Sequence, residues 1–406
     1  MLQELQREQQ LQQQLSSQQQ RAYGEAPTVT PLVPAPSETQ FAARADILLQ
    51  LVQGRPQLGL PAFDGSSSII HVQDCIRLRG PLRDVYRHVR EVLLPLLDSR
   101  RLRILDHRCG AGTLSGLTLR LAEDCTGGDG SVLLRLKGHL ECSVRPRLLQ
   151  LAETLSERCP ALKAVTFYDI GRPHSPDEVL FGSDALLVSV FGQRFRITGG
   201  TRETIVGRRD SLQQIWPAVK EAAGAATGLL WGALGSGGFF EIGLSFSFRK
   251  VVVFAAGVRD AEETRKNMSL NELYWGEVVE CTDSRDVAGA FAARSGFYGP
   301  LRTPHLSLQL KDVRRWVAAA AVPRVIYIAH EQPAFLRDAK ALVAAGYELA
   351  YFKAFDVSPH TVEVLSVSAF SKRHVDLPPA GGSQKKPLIT WALPNQESVL
   401  NSTQDS

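Results

Sequence analysis

From Gln193 to Arg373 the chain alternates runs of helical spacing with short apolar runs of strand character, and the alternation closes on a pair of strands. A strand that needs a helix before the next strand can lie beside it builds a mainly parallel, doubly wound sheet with a ligand crevice where strand order reverses. The glycine-rich stretch Trp231-Gly232-Ala233-Leu234-Gly235-Ser236-Gly237-Gly238-Phe239 follows a helix-spaced run (Leu212, Ile215, Trp216, Val219) and precedes the strand-like Val251–Phe254. Glycines at that point let the backbone turn tightly and approach a cofactor, although a plain turn has the same composition.

Upstream, residues 41–192 read as a mixed α+β central domain. Leu82, Val85, Val89, Val92, Leu93, Leu96 and Leu97 fall at helical spacing, and Ile104–Asp106, Val132–Leu136, Val165–Tyr168 and Leu186–Phe191 are strand-like. Residues 1–40 are Gln-rich and then Pro-rich, a composition that buries no core; they are expected to form a disordered or frayed helical tail, with a protein-docking helix as the alternative. Residues 193–373 form the alternating domain, and 374–406 a polar tail in which Trp391 could pin Pro387–Pro394 to the body.

Composition excludes several function classes. A net charge of +4 gives no bulk attraction for nucleic acid, so any such contact must come from local patches. The six cysteines (75, 109, 125, 142, 159, 281) lack C-x-x-C spacing, so no metal site is expected and the thiols read as reduced, in an intracellular protein whose compartment, mitochondrial or cytoplasmic, stays open. No apolar run approaches the ~20 residues of a membrane span, and MLQELQREQQ lacks a signal core.

The segment RVIYIAHEQPAFLRDAKALVAAGYELAYFKAFDVSPHTVEVLSVSAF, Arg324–Phe370, resembles the end of the uracil-5 RNA methyltransferases, which make 5-methyluridine in tRNA and ribosomal RNA. In that family a strand ends in Tyr-Val-Ser-Cys-Asn-Pro, then come an Arg-Asp pair on a helix, Gly-Tyr, and Asp-x-Phe-Pro-x-Thr. Tyr327, Arg337, Asp338, Gly346, Tyr347, Asp356, Pro359 and Thr361 stand at matching spacing, and the family's Asp-x-x-Cys-Gly-x-Gly-Thr-Phe aligns on Trp231 to Phe239. The resemblance implies a Rossmann-like class I S-adenosylmethionine methyltransferase domain preceded by the α+β central domain. A second glycine loop, Asp106-His107-Arg108-Cys109-Gly110-Ala111-Gly112, looks more like a cofactor motif, but chain order places it in the central domain.

The residues that would carry the family's chemistry differ here. The nucleophilic cysteine, whose thiolate adds to C6 of uracil, is His330. The acid that receives the donor's ribose hydroxyls is Ala255, the acid of the first strand is Trp231, and the glutamine that touches the donor is Thr204; of the glycines, Gly235 and Gly237 remain. The acid that helps hold uracil is Gly299. An ungapped alignment puts the general base on Leu365, whereas a two-residue gap keeps Glu363 as that base. Cys75 aligns with one iron–sulfur ligand of some relatives, and an isolated cysteine holds no cluster.

Residues that shape turns and strands are kept while those that touch donor or base are replaced. The expectation is therefore a pseudoenzyme with no cofactor, binding structured RNA (rRNA or tRNA) or a ribosomal particle as an assembly or RNA-chaperone factor. The alternative is an active S-adenosylmethionine-dependent methyltransferase that uses His330 as a base. Candidate phosphate contacts are Arg194, Arg196, Arg202, Arg208, Arg209, Arg302, Lys311, Arg314 and Arg315.

Overall fold

The computed structural model describes residues 30–62, 68–106, 109–123, 130–190, 192–201, 208–224, 228–233, 236–282, 286, 290, 305–308, 323–330, 332–361 and 363–372. The first part gives β1 (Arg44–Val52), β2 (Arg55–Pro61), β3 (Ile69–His71), α1 (Gly80–Asp98), β4 (Leu114–Ala122), β5 (Ser131–Gly138), α2 (Arg145–Arg158), β6 (Leu162–Asp169) and β7 (Glu178–Gly182). The strands pair in the order β3-β2-β1-β4-β5-β6-β7, antiparallel throughout except between β5 and β6. Strand side chains alternate between faces. Ile47, Leu49, Leu117, Leu119, Leu134 and Leu136 point to a core closed by Leu82, Val85, Val89 and Leu93 of α1 and Leu148, Leu151 and Leu155 of α2. Pro at the start of each helix suits a position whose N–H has no partner within the helix.

One sequence expectation resolves differently here. Ile104 and Asp106 make only isolated bridges and no strand, because the chain reverses at once: Asp106 N–H donates to the Ala111 carbonyl and Gly110 N–H to the Asp106 carbonyl, both at 2.8 Å. The glycine loop around Asp106 is thus a tight reversal that leads into β4, with no helix after it to face a phosphate.

The second part opens with the hairpin β8 (Leu186–Val190) and β9 (Gln193–Ile197), which straddles the expected boundary at residue 192. There follow α3 (Arg209–Ala223), β10 (Leu229–Ala233), the short α4 (Phe239–Leu244), β11 (Lys250–Ala256), α5 (Val258–Leu270), β12 (Glu277–Cys281), β13 (His305–Leu308), β14 (Arg324–Ala329), α6 (Gln332–Ala344), β15 (Tyr347–Asp356) and β16 (Val364–Lys372). Their order is β12-β11-β10-β13-β14-β16-β15, parallel except for β16, which runs against both of its neighbours. Both faces are covered, which explains the continuous apolar runs. Val251 and Val253 pack with Leu212, Ile215 and Trp216 of α3 on one side. Val252 and Phe254 pack with Trp231, Tyr327 and Phe335 on the other.

Polar clusters join the two parts. Arg79 lies between Glu123 and Asp210, with Nη2 at 2.9 Å from Asp210, and burial pushes the Glu123 carboxyl up even with Arg79 beside it. Arg135 is buried, stacks over Tyr168 at 4.1 Å, and pairs with Asp177 at 2.6 Å; Arg259 of α5 lies 5.1 Å from the same ring. Within the stretch read as a tail, Val33 docks beside β15: its N–H donates to the Ala354 carbonyl and its carbonyl accepts from Asp356 N–H, both at 2.9 Å.

On the polar face of the first sheet, Asp46 accepts hydrogen bonds from Arg44 Nε at 2.7 Å, Thr118 Oγ1 at 2.6 Å and Lys137 Nζ at 2.9 Å. Burial alone would raise its pKa, but Arg44, then Thr118 and Lys137, outweigh that and hold the carboxyl well below the ordinary carboxylate range. A group with a depressed folded pKa stabilises above its unfolded pKa, about 3.9, and loses that contribution as pH falls further toward the folded value. Asp46→Asn is therefore expected to lower stability at pH 7 by about 1 kcal/mol or less, since the carboxylate is partly exposed, and the difference should close below about pH 4. Urea melts of both proteins across that range check the sign.

Candidate functional site

Because β10 to β14 run parallel, their carboxyl ends share one edge of the second sheet. The antiparallel register places the end of β15 and the start of β16 there too, with Ala329 opposite Ser366 and Asp356 opposite Val364. This edge is where open α/β sheets hold ligands. It collects the glycine turn, the Ala255 end of β11, His330 after β14, the loop Asp356–Thr361, and Glu363 and Leu365 at the start of β16.

The glycine turn is stapled to α5. Gly237 and Gly238 take φ values of 65° and 68°, a left-handed path that side chains disfavour, and a Cβ on Gly238 would lie 2.9 Å from Thr264 Cγ2. Gly237 N–H donates to Asp260 Oδ1 at 2.8 Å, and Asn267 Nδ2 donates to the Gly237 carbonyl at 2.9 Å. Asn267 Oδ1 accepts from Arg196 N–H at 2.8 Å, and Asn271, one helical turn on, accepts from Arg194 N–H at 2.9 Å and donates to the Arg194 carbonyl at 2.7 Å. Two asparagines four residues apart thus fasten one face of α5 along β9. Glu263, on the same helix, is pushed up by burial although Arg196 Nε lies 3.3 Å away.

The positions where the resemblance puts acids hold apolar groups. Trp231 is fully buried and meets Phe254 edge-on, ring centroids 5.7 Å apart. Ala255 is fully buried. Leu365 lies wholly in the core, while Glu363 is exposed and its N–H donates to Thr361 Oγ1 at 3.2 Å. His330 is half-buried at the end of β14, and Cys281, at the end of β12, is buried. Among the described residues no group of three His, Cys, Asp or Glu could hold a metal ion. Gly299, Thr204, Gly235, Arg202, Arg302, Lys311, Arg314 and Arg315 lie outside the described residues.

The elements before and after His330, β14 and α6, are tied together and to β16. Tyr327 Oη donates to Asp338 Oδ2 at 2.7 Å, both buried, and Arg337 Nε donates to Oδ1 at 3.1 Å, which locks α6 onto β14. Gln332 Nε2 donates to the Val364 carbonyl at 2.8 Å and ties the start of α6 to β16. The loop after β15 is a run of local turns: Ser358 N–H to Asp356 Oδ1 at 3.2 Å and Thr361 Oγ1 to the Ser358 carbonyl at 2.6 Å.

Arg208 does not present its charge to a partner, as the sequence suggested. It is 6% exposed, and its Nη1 donates to the Val357 carbonyl at 2.6 Å, so the guanidinium fixes the loop after β15 to the start of α3. Arg196 is also largely committed inside the molecule, to Asp184 at 2.7 Å and to Glu263. Arg209 pairs with Asp210 at 3.5 Å and stays half-exposed, and Arg194 is exposed. Sequence reasoning missed Asp260. The available signal, an acid in the first turn of a helix after a glycine, is shared by ordinary helix starts.

No family model matches the chain. It is 29% identical over 154 residues to an uncharacterized RNA methyltransferase of Bifidobacterium longum, which is 36% of this chain and 35% of the relative, so the chain spans about a third of the curated relative's length. Among solved structures it resembles the tRNA (uracil-54, C5)-methyltransferase of Pyrococcus abyssi in complex with S-adenosyl-L-homocysteine, with a TM-score of 0.59 and 14% identity over 87% of this chain and 81% of that one. A tRNA m1G37 methyltransferase of M. jannaschii aligns more loosely, at a TM-score of 0.37 and 14% identity over 59% of this chain and 72% of that one. The fold is Rossmann-like, of the class I methyltransferase type, and no helix among the described residues is long and apolar enough to cross a membrane.

Arg208→Glu tests the buried guanidinium. A carboxylate set against the Val357 carbonyl should cost about 3 kcal/mol or more, as an uncompensated buried charge does. Arg209→Glu should cost about 1 kcal/mol or less. Chemical denaturation of both variants measures the contrast, and equal small losses would mean that Arg208 turns out to solvent.

Proposed function

We propose that this chain is an RNA-binding protein carried on a methyltransferase fold, with the chemistry of methyl transfer displaced and structured RNA, ribosomal or transfer, or a ribosomal particle as its partner. The observation that carries the reading is the glycine turn: its Gly237 N–H and carbonyl are both engaged by α5, through Asp260 and Asn267. The residues present do not fit S-adenosylmethionine. A buried methyl at Ala255 accepts no hydrogen bond from ribose hydroxyls, and each hydroxyl buried without an acceptor costs roughly 1–3 kcal/mol. The buried Trp231 ring packs against Phe254 at the other expected acid, and His330 stands where the family's thiolate would start the reaction.

The likeness to a relative named as an RNA methyltransferase, and to a solved tRNA methyltransferase, supports RNA as the partner class. A second reading, an S-adenosylmethionine enzyme with His330 as base, draws support from the same solved structure, whose complex holds S-adenosyl-L-homocysteine. It also draws support from the locked Tyr327–Asp338 contact, which holds the end of β14 in a fixed frame.

Calorimetric titration of the purified chain with S-adenosylmethionine separates the two. The expected dissociation constant is millimolar or weaker, and a low-micromolar value would sink the reading without a donor.

His330→Cys alone is expected to give no uracil methylation, because catalytic groups that act as a unit are not restored one at a time. Labelled donor with tRNA and ribosomal RNA fragments reads this out. Turnover after that one change would mean that a working donor site is present.

A further inference from the structure

The arginines nearest the sheet edge are largely spent on internal partners, and an exposed group elsewhere has no carboxylate partner among the described residues. Arg100, Arg101 and Arg103 leave the loop between α1 and β4, and Arg147 lies in the first turn of α2; all four side chains are exposed. None of the four has a carboxylate within ion-pair reach among the described residues. On the neighbouring surface the pattern is the reverse: Arg83 pairs with Asp74, Arg87 with Asp84, and Arg145 with Glu178.

The loop is tied down by hydrogen bonds as well as basic. Leu102 is buried between the arginines and its N–H donates to the Leu96 carbonyl at 3.0 Å, while the Arg103 carbonyl accepts from Thr113 and Leu114 N–H, each at 3.0 Å. Arg147 Nη1 donates to the Arg101 carbonyl at 2.8 Å, which brings α2 against the loop. Arg100 takes φ 57° as α1 ends, a position where glycine would be free of strain. The first turn of α2 carries no acid, so the positive end of that helix adds to the same field.

We infer that Arg100, Arg101, Arg103 and Arg147 form a preorganised phosphate-binding surface on the helical side of the first sheet, and that it grips the backbone of a structured RNA. Guanidiniums held on a fixed loop lose little freedom when they engage phosphates, and such contacts read shape and charge more than base identity. This inference rests on the RNA-binding reading above and moves its main contact away from the carboxyl edge of the second sheet.

The test is filter binding of an unmodified tRNA transcript to the full chain and to the triple variant R100E/R101E/R103E, at about 50 and 200 mM salt. The variant should lose at least about tenfold in affinity, and its dependence on log salt should flatten by about 0.9 for each phosphate contact removed. R100Q/R101Q/R103Q should show the same trend more weakly, and unchanged melting temperatures confirm that both variants fold. If the wild type binds and the variants bind equally well with the same salt slope, the surface is overturned while the RNA reading stands. If affinity falls without any flattening, the contact is not to phosphate and the inference fails. If the wild type binds no RNA, the functional reading falls and takes this surface with it.

Discussion

Asn267 is 2% exposed on α5, and its one amide reaches two ways: Nδ2 to the Gly237 carbonyl, Oδ1 to the N–H of Arg196 in β9. The glycine turn, the hairpin and α5 have no common secondary structure to hold them in register, and this side chain supplies it. A buried amide with its groups satisfied in this way is strongly directional, because any slip leaves a polar atom without a partner in a place water does not reach. Asn271 repeats the device one turn later, so β9 is bonded by side chains where a neighbouring strand would otherwise be needed. The position of the turn at the sheet edge follows from that clamp.

Much of the architecture was legible because it depends on periodicity and order. The apolar spacing from Leu82 to Leu97 is α1, the runs at Val132, Val165 and Val251 fall within β5, β6 and β11, and the run Leu186–Phe191 is β8 as far as Val190, Phe191 lying outside the described residues. The alternation after Gln193 yields the expected mainly parallel sheet, and the structure adds that β16 within the closing strand pair runs antiparallel. Ile104–Asp106 has the composition of a strand, yet the chain reverses at Asp106, and among the described residues it pairs only through single bridges.

The site was less legible, since its contacts join residues far apart in sequence. Arg208 meets a carbonyl 149 positions away, and no local pattern distinguishes it from the exposed Arg209 beside it. Asp260 and Gly237 are 23 residues apart, and each has an ordinary local explanation. Tyr327 and Asp338 entered the family resemblance as separate matching positions, and their hydrogen bond joins them: a buried phenol and carboxylate that set the angle of α6 on β14. Residues whose work is shape are engaged in that work here, and the apolar groups at Trp231, Ala255 and Leu365 are packed as core.

The docking of Val33 on Phe355 has a further meaning for the chain as a material. β15 is the last strand of its sheet, ten residues long, and such a border is a template for a neighbouring molecule to add a strand and start intermolecular association. Val33 occupies two of its backbone groups, the Ala354 carbonyl and the Asp356 N–H, and the Thr30 hydroxyl takes a third at the Phe352 carbonyl. The short segment ahead of the first sheet therefore covers part of the open border of the second, so the residues that shield this border touch neither the glycine turn nor the arginine surface.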